Sequence, residues 1–268
     1  MPSADRDAAV EYLSAEGLAG ILEEADASRT TEGVFDAVAG KMRQPIPPQP
    51  SDLARLHKLI RTRLSFTVLE FGVGYSTIAL ADALAKNEQD WSRLPHRPEV
   101  RNRYMFQLFS VDASKRWIRH CKRRIPSELM KRTHLHHSRV SVGTFRGQLC
   151  HFYDNLPDVV PDFIYVDGPS PKDVRGSIRG LSFRCDERTI MAGDLLLMEP
   201  TFLPGTLILI DGRTNNARFL IRNLLRSYEV VWDREGDYTS LELKEERLGR
   251  FNVLGQDFAG TTPFRRVQ

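Results

Sequence analysis

The chain has 268 residues, of which 41% are hydrophobic and 27% are charged, and its formal net charge is +3. This composition is that of a soluble globular protein, so it excludes a fibrous or wholly disordered chain, and the small net charge gives no argument for a polyanionic partner. The three cysteines form no Cys-x-x-Cys pair, which argues against a disulfide framework or a cysteine-rich zinc site. The sequence shows no apolar run of about 18 residues and no signal sequence, so we expect a cytoplasmic protein without a membrane partner.

An N-terminal helical extension is predicted for residues 1–50, which are rich in Ala and Glu and repeat apolar side chains at helical spacing. A second short helix within it is predicted at residues 34–42. The prolines of residues 45–50 are incompatible with a helix interior and mark the boundary of a main domain, residues 51–250, which a tail of residues 251–268 follows. We expect the extension to pack over a ligand cleft or to extend an interface, and the second arrangement would make a homo-oligomer.

Strands alternate with helices from residue 66 onwards. Short apolar strands are predicted at residues 66–71, 106–111, 135–142, 163–166 and 207–210, and a closing pair at residues 229–232 and 239–243. Helices are predicted from residue 51, at residues 76–86, from residue 114 to 124 and at residues 216–227. This alternation predicts an α/β fold, a doubly wound and mostly parallel seven-stranded sheet with a terminal antiparallel strand pair.

The segment after the first strand has the residue types of a ligand-binding loop. Gly72 and Gly74 allow a sharp turn and a close approach of the backbone to a ligand, and the helix that begins near Ser76 offers free N–H groups. A dinucleotide fingerprint would have a third glycine where Thr77 stands, and it would place the charge of Glu70 close to a pyrophosphate. The acidic strand end therefore favours a ligand with an ammonium group, and a structural hydrogen bond is the alternative role of Glu70.

Acidic residues also end three later strands. Asp112 follows the second strand, where a carboxylate can accept hydrogen bonds from two ribose hydroxyls, and the polar residues 87–105 account for its long distance from the glycine loop. Asp167 and Asp211 end the fourth and fifth strands. The structural alternatives are that Asp112 caps the next helix, that Asp167 holds the turn after it, and that Asp211 shapes its loop.

Four segments together resemble a known family. Residues 68–77, Val-Leu-Glu-Phe-Gly-Val-Gly-Tyr-Ser-Thr, resemble the first motif of class I S-adenosylmethionine-dependent methyltransferases. Residues 109–112 are similar to the second motif, residues 161–169 to the fourth, and residues 204–211 to the glycine-led fifth strand of the same fold. The closing antiparallel pair also fits, and the resemblance covers residues 51–245.

The resemblance implies a site for the cofactor S-adenosylmethionine. Its cofactor-binding residues would be Glu70 near the ammonium group, Gly72 and Gly74 around the methionine moiety, Ser76 and Thr77 at the carboxylate, and Asp112 at the ribose. Residues 143–145 would lie beside the adenine. Asp167 and Asp211 would be the catalytic residues, and the histidines at 136, 137 and 151 are further candidates for a base that removes the acceptor proton.

The resemblance also suggests a metal ion as a second cofactor. Related O-methyltransferases bind a divalent metal through acidic residues after the fourth and fifth strands, where Asp167 and Asp211 stand, so Mg²⁺ is an open alternative. The related pattern often has a second Asp or Asn where this chain has Gly212, and Asn215 or Asn216 would have to replace it. Because two oxygen ligands are too few for a site, we assign no residue as a metal ligand.

Basic and histidine-rich segments have both functional and structural interpretations. The helix of residues 115–124 is strongly basic, and a solvated face is its simplest interpretation, with nucleic acid as the alternative. The histidines at 134, 136 and 137 lack metal-ligand spacing. A second basic stretch follows Asp167 and contains Lys172, Arg175, Arg179 and Arg184. It would recognise an anionic acceptor, such as a phosphorylated or nucleotide-linked sugar.

We therefore expect an S-adenosylmethionine-dependent methyltransferase that acts on a small molecule, by O-methylation of a sugar or natural-product-type acceptor. A nucleic-acid methyltransferase is an alternative, although residues 167–170 lack the second proline and the aromatic residue that would stack on a flipped base. Two further functions stay open, that of an NAD-dependent oxidoreductase and that of a non-catalytic binding protein with this fold.

Overall fold

The computed structural model describes residues 3–21, 23, 35–36, 41–42, 48–97, 99–185 and 187–258. The helices of this part of the chain are α1 (Ser3–Ala15), α2 (Pro50–Arg63), α3 (Tyr75–Ser92), α4 (Lys115–Arg124), α5 (Ser127–Met130), α6 (Asp194–Met198) and α7 (Thr214–Asn223). The strands are β1 (Phe35–Asp36), β2 (Lys41–Met42), β3 (Thr67–Phe71), β4 (Gln107–Asp112), β5 (Thr133–His137), β6 (Val140–Phe145), β7 (Gln148–Tyr153), β8 (Phe163–Val166), β9 (Val174–Arg175), β10 (Leu207–Asp211), β11 (Tyr228–Asp233) and β12 (Tyr238–Leu243). No helix among these residues is long and apolar enough to span a bilayer.

The central sheet has seven strands in the order β11-β12-β10-β8-β3-β4-β5. The neighbours from β10 through β8, β3 and β4 to β5 are parallel, and β12 runs antiparallel to both β10 and β11. The predicted fold class, with its terminal antiparallel pair, is therefore confirmed. The chain winds outward from β3 to β5 and then returns to the other side at β8, so the winding reverses between β3 and β8. Ligands bind at the carboxyl edge near this reversal in sheets of this kind.

Two different layers cover the sheet. One face packs against α1 to α4, with Val68, Leu108 and Leu209 of the strands in the shared core. The other face packs against α6, α7 and a second, three-stranded sheet in the order β7-β6-β9, with Leu69, Ile164 and other strand residues buried there. Strand residues alternate between the two cores because successive side chains of a strand point to opposite faces.

The second sheet corrects the prediction of one strand at residues 135–142. The chain leaves the central sheet after β5, turns at Ser138 and Arg139, and enters β6, which pairs antiparallel with β7. Arg146 and Gly147 form the turn of this hairpin, both at positive φ (50° and 75°). A two-residue turn with glycine in the second position matches the twist of flanking strands, and this was the signal in the sequence.

Other boundaries also differ from the prediction. The helix α3 continues to Ser92, six residues beyond its predicted end, because Trp91 packs into a small core with Phe66 and Phe106. The short helix predicted at residues 34–42 is wrong where the structure describes that segment, because β1 and β2 pair antiparallel there. Residues 45–47 of the predicted extended segment lie outside the described part of the chain.

The first helix is anchored to the main domain by a buried polar chain. The Tyr12 hydroxyl lies 2.7 Å from Nδ1 of His57 on α2, and His57 Nε2 lies 2.9 Å from Asp82 on α3. Leu13 is fully buried in the same core. The amino end of α1 also borders a cavity of about 620 Å³ that Asp5, Arg55 and Tyr238 line. The domain boundaries of the prediction, and a role of the extension as a cover or an oligomer interface, stay predictions.

Candidate active site

The ends of β3 and β8 touch through two glycines. Gly72 has a φ of +109°, and a Cβ built on Gly168 would lie 2.8 Å from the Gly72 nitrogen. The two loops are joined to the sheet by backbone hydrogen bonds, from Gly72 to the Val111 carbonyl and from Asp167 to the Phe71 carbonyl, both 2.9 Å long. Only glycine allows such an approach at Gly168, so the two loops form one rigid junction.

Glu70 lies fully buried beneath this junction. Its Oε1 accepts a hydrogen bond from the Ser76 hydroxyl (2.6 Å), and its Oε2 accepts from the hydroxyls of Thr77 (2.7 Å) and Ser110 (2.6 Å). Burial raises the pKa of Glu70 to about 7, while the three hydroxyl donors oppose that rise. Glu70 therefore ties the start of α3 to β4 through side chains of the protein.

The hydroxyls of Ser76 and Thr77 are thus engaged with Glu70. The Thr77 oxygen also accepts a hydrogen bond from the Gly74 N–H (3.0 Å). A Cβ built on Gly74 would meet nothing within 4 Å, so open space lies above it. The ammonium and carboxylate contacts assigned to Glu70, Ser76 and Thr77 stay predictions, and a ligand here would meet backbone groups of the first turn of α3.

Asp112 connects the glycine loop to α4. Its Oδ2 accepts a hydrogen bond from the Val73 N–H (3.1 Å), and its Oδ1 accepts from the Ser114 N–H (2.6 Å). Burial raises the pKa of Asp112 to about 7, and these backbone donors oppose the rise. Each carboxylate oxygen has two lone pairs, so Asp112 keeps one acceptor position on each oxygen. The Ser114 hydroxyl caps α4 by accepting from Trp117, which removes the need for Asp112 as the cap.

A cavity of about 620 Å³ begins at Ala113, the residue after Asp112, and we call it the Ala113 cavity. Its lining consists of Ala113, Lys115, His137, Ser138, Arg139, Asp154, Asn155 and Arg175. The cavity thus opens at the carboxyl ends of β4 and β5. Residues 143–145, expected beside the adenine, lie in β6 and are not among the residues that line this cavity. Their position beside the adenine stays a prediction.

Asp167 and Asp211 form a cluster with two arginines at the ends of β8 and β10. Arg213 donates to the main-chain carbonyl of Asp167 and lies 3.4 Å from its Oδ1. The Tyr165 hydroxyl donates to Asp211 Oδ2 (3.1 Å), and Arg55 lies 3.8 Å from Asp211 Oδ1. The side chain of Asp167 is 51% exposed and that of Asp211 26%. The structure therefore brings the two predicted catalytic carboxylates into one cluster.

Loss of hydration raises the pKa of both carboxyl groups in this cluster. For Asp167, the positive charge of Arg213 opposes the rise and the negative charge of Asp211 adds to it. For Asp211, the Tyr165 hydroxyl and the two arginines oppose it. A carboxylate with a raised pKa that stays accessible is suited to accept a proton near neutral pH, and Asp167 is the more accessible of the two.

Sequence reasoning missed the arginines of this cluster. Arg55 lies on α2, donates to Asp52 (2.7 Å), and places its guanidinium 4.2 Å from the centre of the Tyr238 ring. Arg213 follows Gly212 directly. Neither residue belongs to a motif, and Arg55 is more than 150 positions from Asp211 in the sequence. Only the folded sheet brings them together, so no sequence signal could have identified them.

The donor set of this cluster does not fit Mg²⁺. The guanidinium of Arg213 faces Asp167 and that of Arg55 lies beside Asp211, so a divalent cation there would face two fixed positive charges. The amide oxygen of Asn216, a candidate third ligand, is buried and accepts a hydrogen bond from the Ala192 N–H (2.8 Å). The metal alternative at this position therefore loses its support.

Among the described residues, one group of side chains, away from this cluster, has its ligand atoms close enough together to hold a metal ion. Ligand atoms of Glu16, His57 and Asp82 lie within 4.8 Å of one another. The ammonium group of Lys86 lies 2.7 Å from both carboxylates and supplies the positive charge between them. This group shares His57 and Asp82 with the polar chain that anchors α1.

The histidines take different places. His134 stacks on Phe109 with ring centres 4.5 Å apart, and the ring of His136 lies 6.0 Å from the same residue, so both lie on one face of β5 as the alternation predicts. His137 lines the Ala113 cavity. His151 is buried, and burial lowers its pKa to about 3, so it is not placed to take a proton from a ligand. The basic helix α4 buries Cys121 and exposes Lys115, Arg116 and Arg119.

The strand order and the terminal antiparallel pair define a Rossmann-like α/β fold, which agrees with the fold that the four sequence segments imply. Comparisons with models of protein families and with curated proteins found no match.

Among solved structures, the chain is similar to the SAH-bound methyltransferase PaMTH1 of Podospora anserina, with 13% identity and a TM-score of 0.45 over 84% of this chain and 88% of that one. It is also similar to the O-methyltransferase TomG of Streptomyces achromogenes in complex with SAM, with 16% identity and a TM-score of 0.43 over 84% and 90% of the two chains. An O-methyltransferase from Bacillus cereus in complex with SAH gives 16% identity and a TM-score of 0.42 over 83% and 90%.

Proposed function

We propose that the protein is an S-adenosylmethionine-dependent methyltransferase that transfers a methyl group to a hydroxyl of a small molecule, of the sugar or natural-product type. The position of Asp112 carries this proposal. Its carboxylate ends β4, accepts a hydrogen bond from the glycine loop and keeps free lone pairs, and the next residue, Ala113, lines a cavity of about 620 Å³. Cavities of about 300–1,000 Å³ are typical of small-molecule sites.

The residues of the carboxyl edge fit this cofactor. Asp112 would accept hydrogen bonds from the two ribose hydroxyls, and the adenine would lie in the Ala113 cavity. The glycine loop would follow the methionine moiety, because Gly74 leaves open space for a ligand to approach its backbone. When bound, S-adenosylmethionine supplies an activated methyl group on a sulfonium ion.

Asp167 would accept the proton of the acceptor hydroxyl. S-adenosylmethionine would supply the methyl group to the acceptor oxygen, and the Asp167 carboxylate would take up the proton that the hydroxyl loses. Arg213 holds the main chain and one oxygen of Asp167 and so orients the carboxylate. Asp211, held by Tyr165, would position the acceptor from the neighbouring strand.

A nicotinamide dinucleotide fits the same edge less well. Its pyrophosphate would have to lie at the start of α3, directly above the buried carboxyl group of Glu70. Thr77 occupies the position of the third glycine of the fingerprint, and its hydroxyl is already engaged. We therefore rank the oxidoreductase alternative below methyl transfer.

Isothermal titration with S-adenosylmethionine, S-adenosylhomocysteine and NAD tests the proposal. We expect saturable binding of both adenosyl ligands and none of NAD. Two variants locate the site: Asp112→Asn, which loses an acceptor position, and Ala113→Phe, which fills the cavity and leaves Asp112 intact. Asp112→Asn should weaken adenosyl binding at least tenfold, since a hydrogen bond to a charged group contributes about 1.5–3 kcal/mol. Ala113→Phe should weaken it at least tenfold because its ring takes the space that the ligand needs.

The exposed carboxylate Asp158 offers a matched control, and Asp158→Asn should bind like wild type. Thermal unfolding of every variant separates a lost ligand contact from a lost fold. Full adenosyl affinity in both Asp112→Asn and Ala113→Phe would contradict the placement of the site. Binding of NAD in place of the adenosyl ligands would overturn the methyltransferase proposal.

A further inference from the structure

The two edges of the central sheet differ in character. The strand order ends at β5 on one side and at β11 on the other. The strand β11 carries two large hydrophobic side chains that are open to solvent, Val231 (49% exposed) and Trp232 (43% exposed), and a third, Leu225, precedes it by three residues. The exposed side chains of β5 are instead those of His134 and His137. The apolar edge of the sheet is therefore β11.

The strand β11 lacks features that usually keep a sheet edge from pairing with another chain. Proline, lysine, a β-bulge or a very short strand gives such protection in natural proteins. The six residues of β11 include neither proline nor lysine. They pair one for one with β12, from Tyr228 opposite Leu243 to Asp233 opposite Tyr238, without a bulge. An edge of this kind can accept a further strand.

The hydrogen bonds to β12 show which backbone groups of β11 face the free edge. Successive residues of an antiparallel strand direct their N–H and C=O groups alternately to the two sides. The Lys244 N–H donates to the Ser227 carbonyl (2.8 Å), which fixes this alternation along β11. Every second residue from Ser227 onwards therefore turns its groups toward β12, and Tyr228, Val230 and Trp232 turn theirs toward the free edge.

The same three residues share one face of the sheet. Tyr228 and Val230 pack against the core that α7 covers, so the alternation of side chains places Trp232 on that face too. Glu229 and Val231 lie on the opposite face. The free edge thus presents backbone donors and acceptors together with an aromatic residue at each end of the strand.

A second copy of β11 complements this edge. Two copies that pair antiparallel about a twofold axis perpendicular to the sheet keep their faces continuous, and residues opposite each other point to the same face. The axis must then pass through a residue of β11. With the axis at Val230, Tyr228 of each copy lies opposite Trp232 of the other, and Val230 lies opposite itself. All three residues with outward backbone groups are then paired.

The acidic residues favour this register over its neighbours. With the axis at Val230, Glu229 lies opposite Val231. Moving the axis to residue 229, 231 or 232 would place Glu229 opposite itself, opposite Asp233 or opposite Glu235. Like charges directly opposite each other destabilise a strand pair, so these three registers are disfavoured.

We infer that the edge of β11 binds a second copy of this chain, antiparallel and with the twofold axis at Val230, so that two seven-stranded sheets join into one. Just outside the strand, Arg226 would face Arg234, and the Glu245 carboxylate, 2.5 Å from Arg226, offsets that charge. The inference goes beyond methyl transfer and does not rest on it. Its surface also differs from the interface predicted for residues 1–50.

Multi-angle light scattering of the full chain over a concentration series tests the inference. We expect a mass that approaches twice the 30.6 kDa of one chain. Val231→Glu would place its carboxylate opposite Glu229 of the second copy, so it should weaken association at least tenfold. Leu181→Glu is the matched control, because Leu181 has the same exposure of 49% and lies outside the central sheet. It should associate like wild type.

Thermal unfolding of both variants shows whether each keeps the fold. A wild-type chain that is monomeric at every concentration would overturn the inference and leave the edge to a different chain. A dimer that Val231→Glu does not weaken, or that Leu181→Glu weakens equally, would place the contact elsewhere and overturn it as well.

Disulfide formation tests the register separately. The background is Cys185→Ser, which removes the one native cysteine that is not buried. The double variant Glu229→Cys/Val231→Cys would place thiols of the two copies opposite each other, with Cα atoms about 4.5 Å apart, which a disulfide can bridge. We expect a covalent dimer on a non-reducing gel from the double variant and none from either single variant. A covalent dimer from Val231→Cys alone would move the axis to Val231 and overturn the register.

Discussion

Glu70 and Asp167 end neighbouring strands of one sheet, yet their surroundings are opposite. Glu70 is fully buried and receives hydroxyl hydrogen bonds from α3 and β4. Asp167 is half exposed, and a single arginine holds it. A carboxylate enclosed by donors of its own chain fixes the loops around it, whereas one open to solvent remains available to a ligand. The β3 side of the edge is thus fixed by contacts within the chain, and the β8 side keeps an accessible carboxylate.

The strongest test of this contrast is Asp167→Asn. The amide cannot accept the hydroxyl proton, so we expect the turnover number to fall about 10²- to 10⁴-fold, the usual range for a lost general base. The affinity for S-adenosylmethionine should stay within about threefold of wild type. Steady-state kinetics with an acceptor found in a screen of small-molecule alcohols measures the turnover number, and isothermal titration measures the affinity for S-adenosylmethionine.

The pH profile sharpens the same test. Because the pKa of Asp167 is raised, wild-type turnover should increase as the pH rises through the weakly acidic range, and Asp167→Asn should lose that increase. Asp158→Asn provides the control at an exposed carboxylate. An Asp167→Asn variant with wild-type turnover would remove Asp167 from the chemistry.

Glu70→Gln tests the buried side through stability. The pKa of Glu70 is about 7 in the folded chain against an ordinary value of 4.5, so the folded state holds its proton more tightly than the unfolded state. The free energy of unfolding should therefore decrease as the pH rises from about 4.5 to about 7, by roughly 3 kcal/mol at most from this residue. Glu70→Gln should remove that part of the decrease.

Urea unfolding at pH 4.5, 6 and 8 gives the measurement, and Glu128→Gln, at an exposed glutamate, gives the control. If Glu70→Gln and wild type lost the same stability over this range, the burial of a titrating carboxyl group beneath the glycine loop would be refuted.

Gly168→Ala tests the junction that joins the two sides. Its methyl group would lie 2.8 Å from the Gly72 nitrogen and 2.9 Å from the Gly72 Cα. Both contacts are with backbone, so the loops must move, and we expect a loss of about 1–3 kcal/mol in the free energy of unfolding.

Gly74→Ala is the matched control, since a Cβ there meets nothing within 4 Å. It should cost at most about 1 kcal/mol of stability, as the substitution of a helix-capping glycine does, and weaken cofactor binding instead. Equal stability of the two variants would contradict the close approach of the two loops.

The central sheet was predictable because its pattern is local. The strand predicted at residues 163–166 coincides with β8. The predicted bounds of the other strands of the central sheet lie within two residues of the observed bounds, except for the strand predicted at residues 135–142. Short apolar runs that end in Gly or Asp mark parallel strands buried on both faces. The same strand ends identified Asp112, Asp167 and Asp211, which the structure places along one edge.

The rest of the site depends on contacts that a local pattern does not contain. Residues 135–142 are continuously β-prone, so periodicity could not show that the chain changes sheets at Ser138. The Arg146–Gly147 turn was the missed signal, and it determines which residues line the Ala113 cavity. The engagement of Ser76 and Thr77 with Glu70, and the arrival of Arg55 at Asp211, arise only from packing between distant elements.

Arg175 lines the Ala113 cavity and lies eight residues beyond Asp167, on the segment that follows β8. A ligand in the cavity that orders this segment would therefore change the affinity for a ligand at Asp167. By reciprocity, each of two such ligands would change the affinity for the other by the same factor.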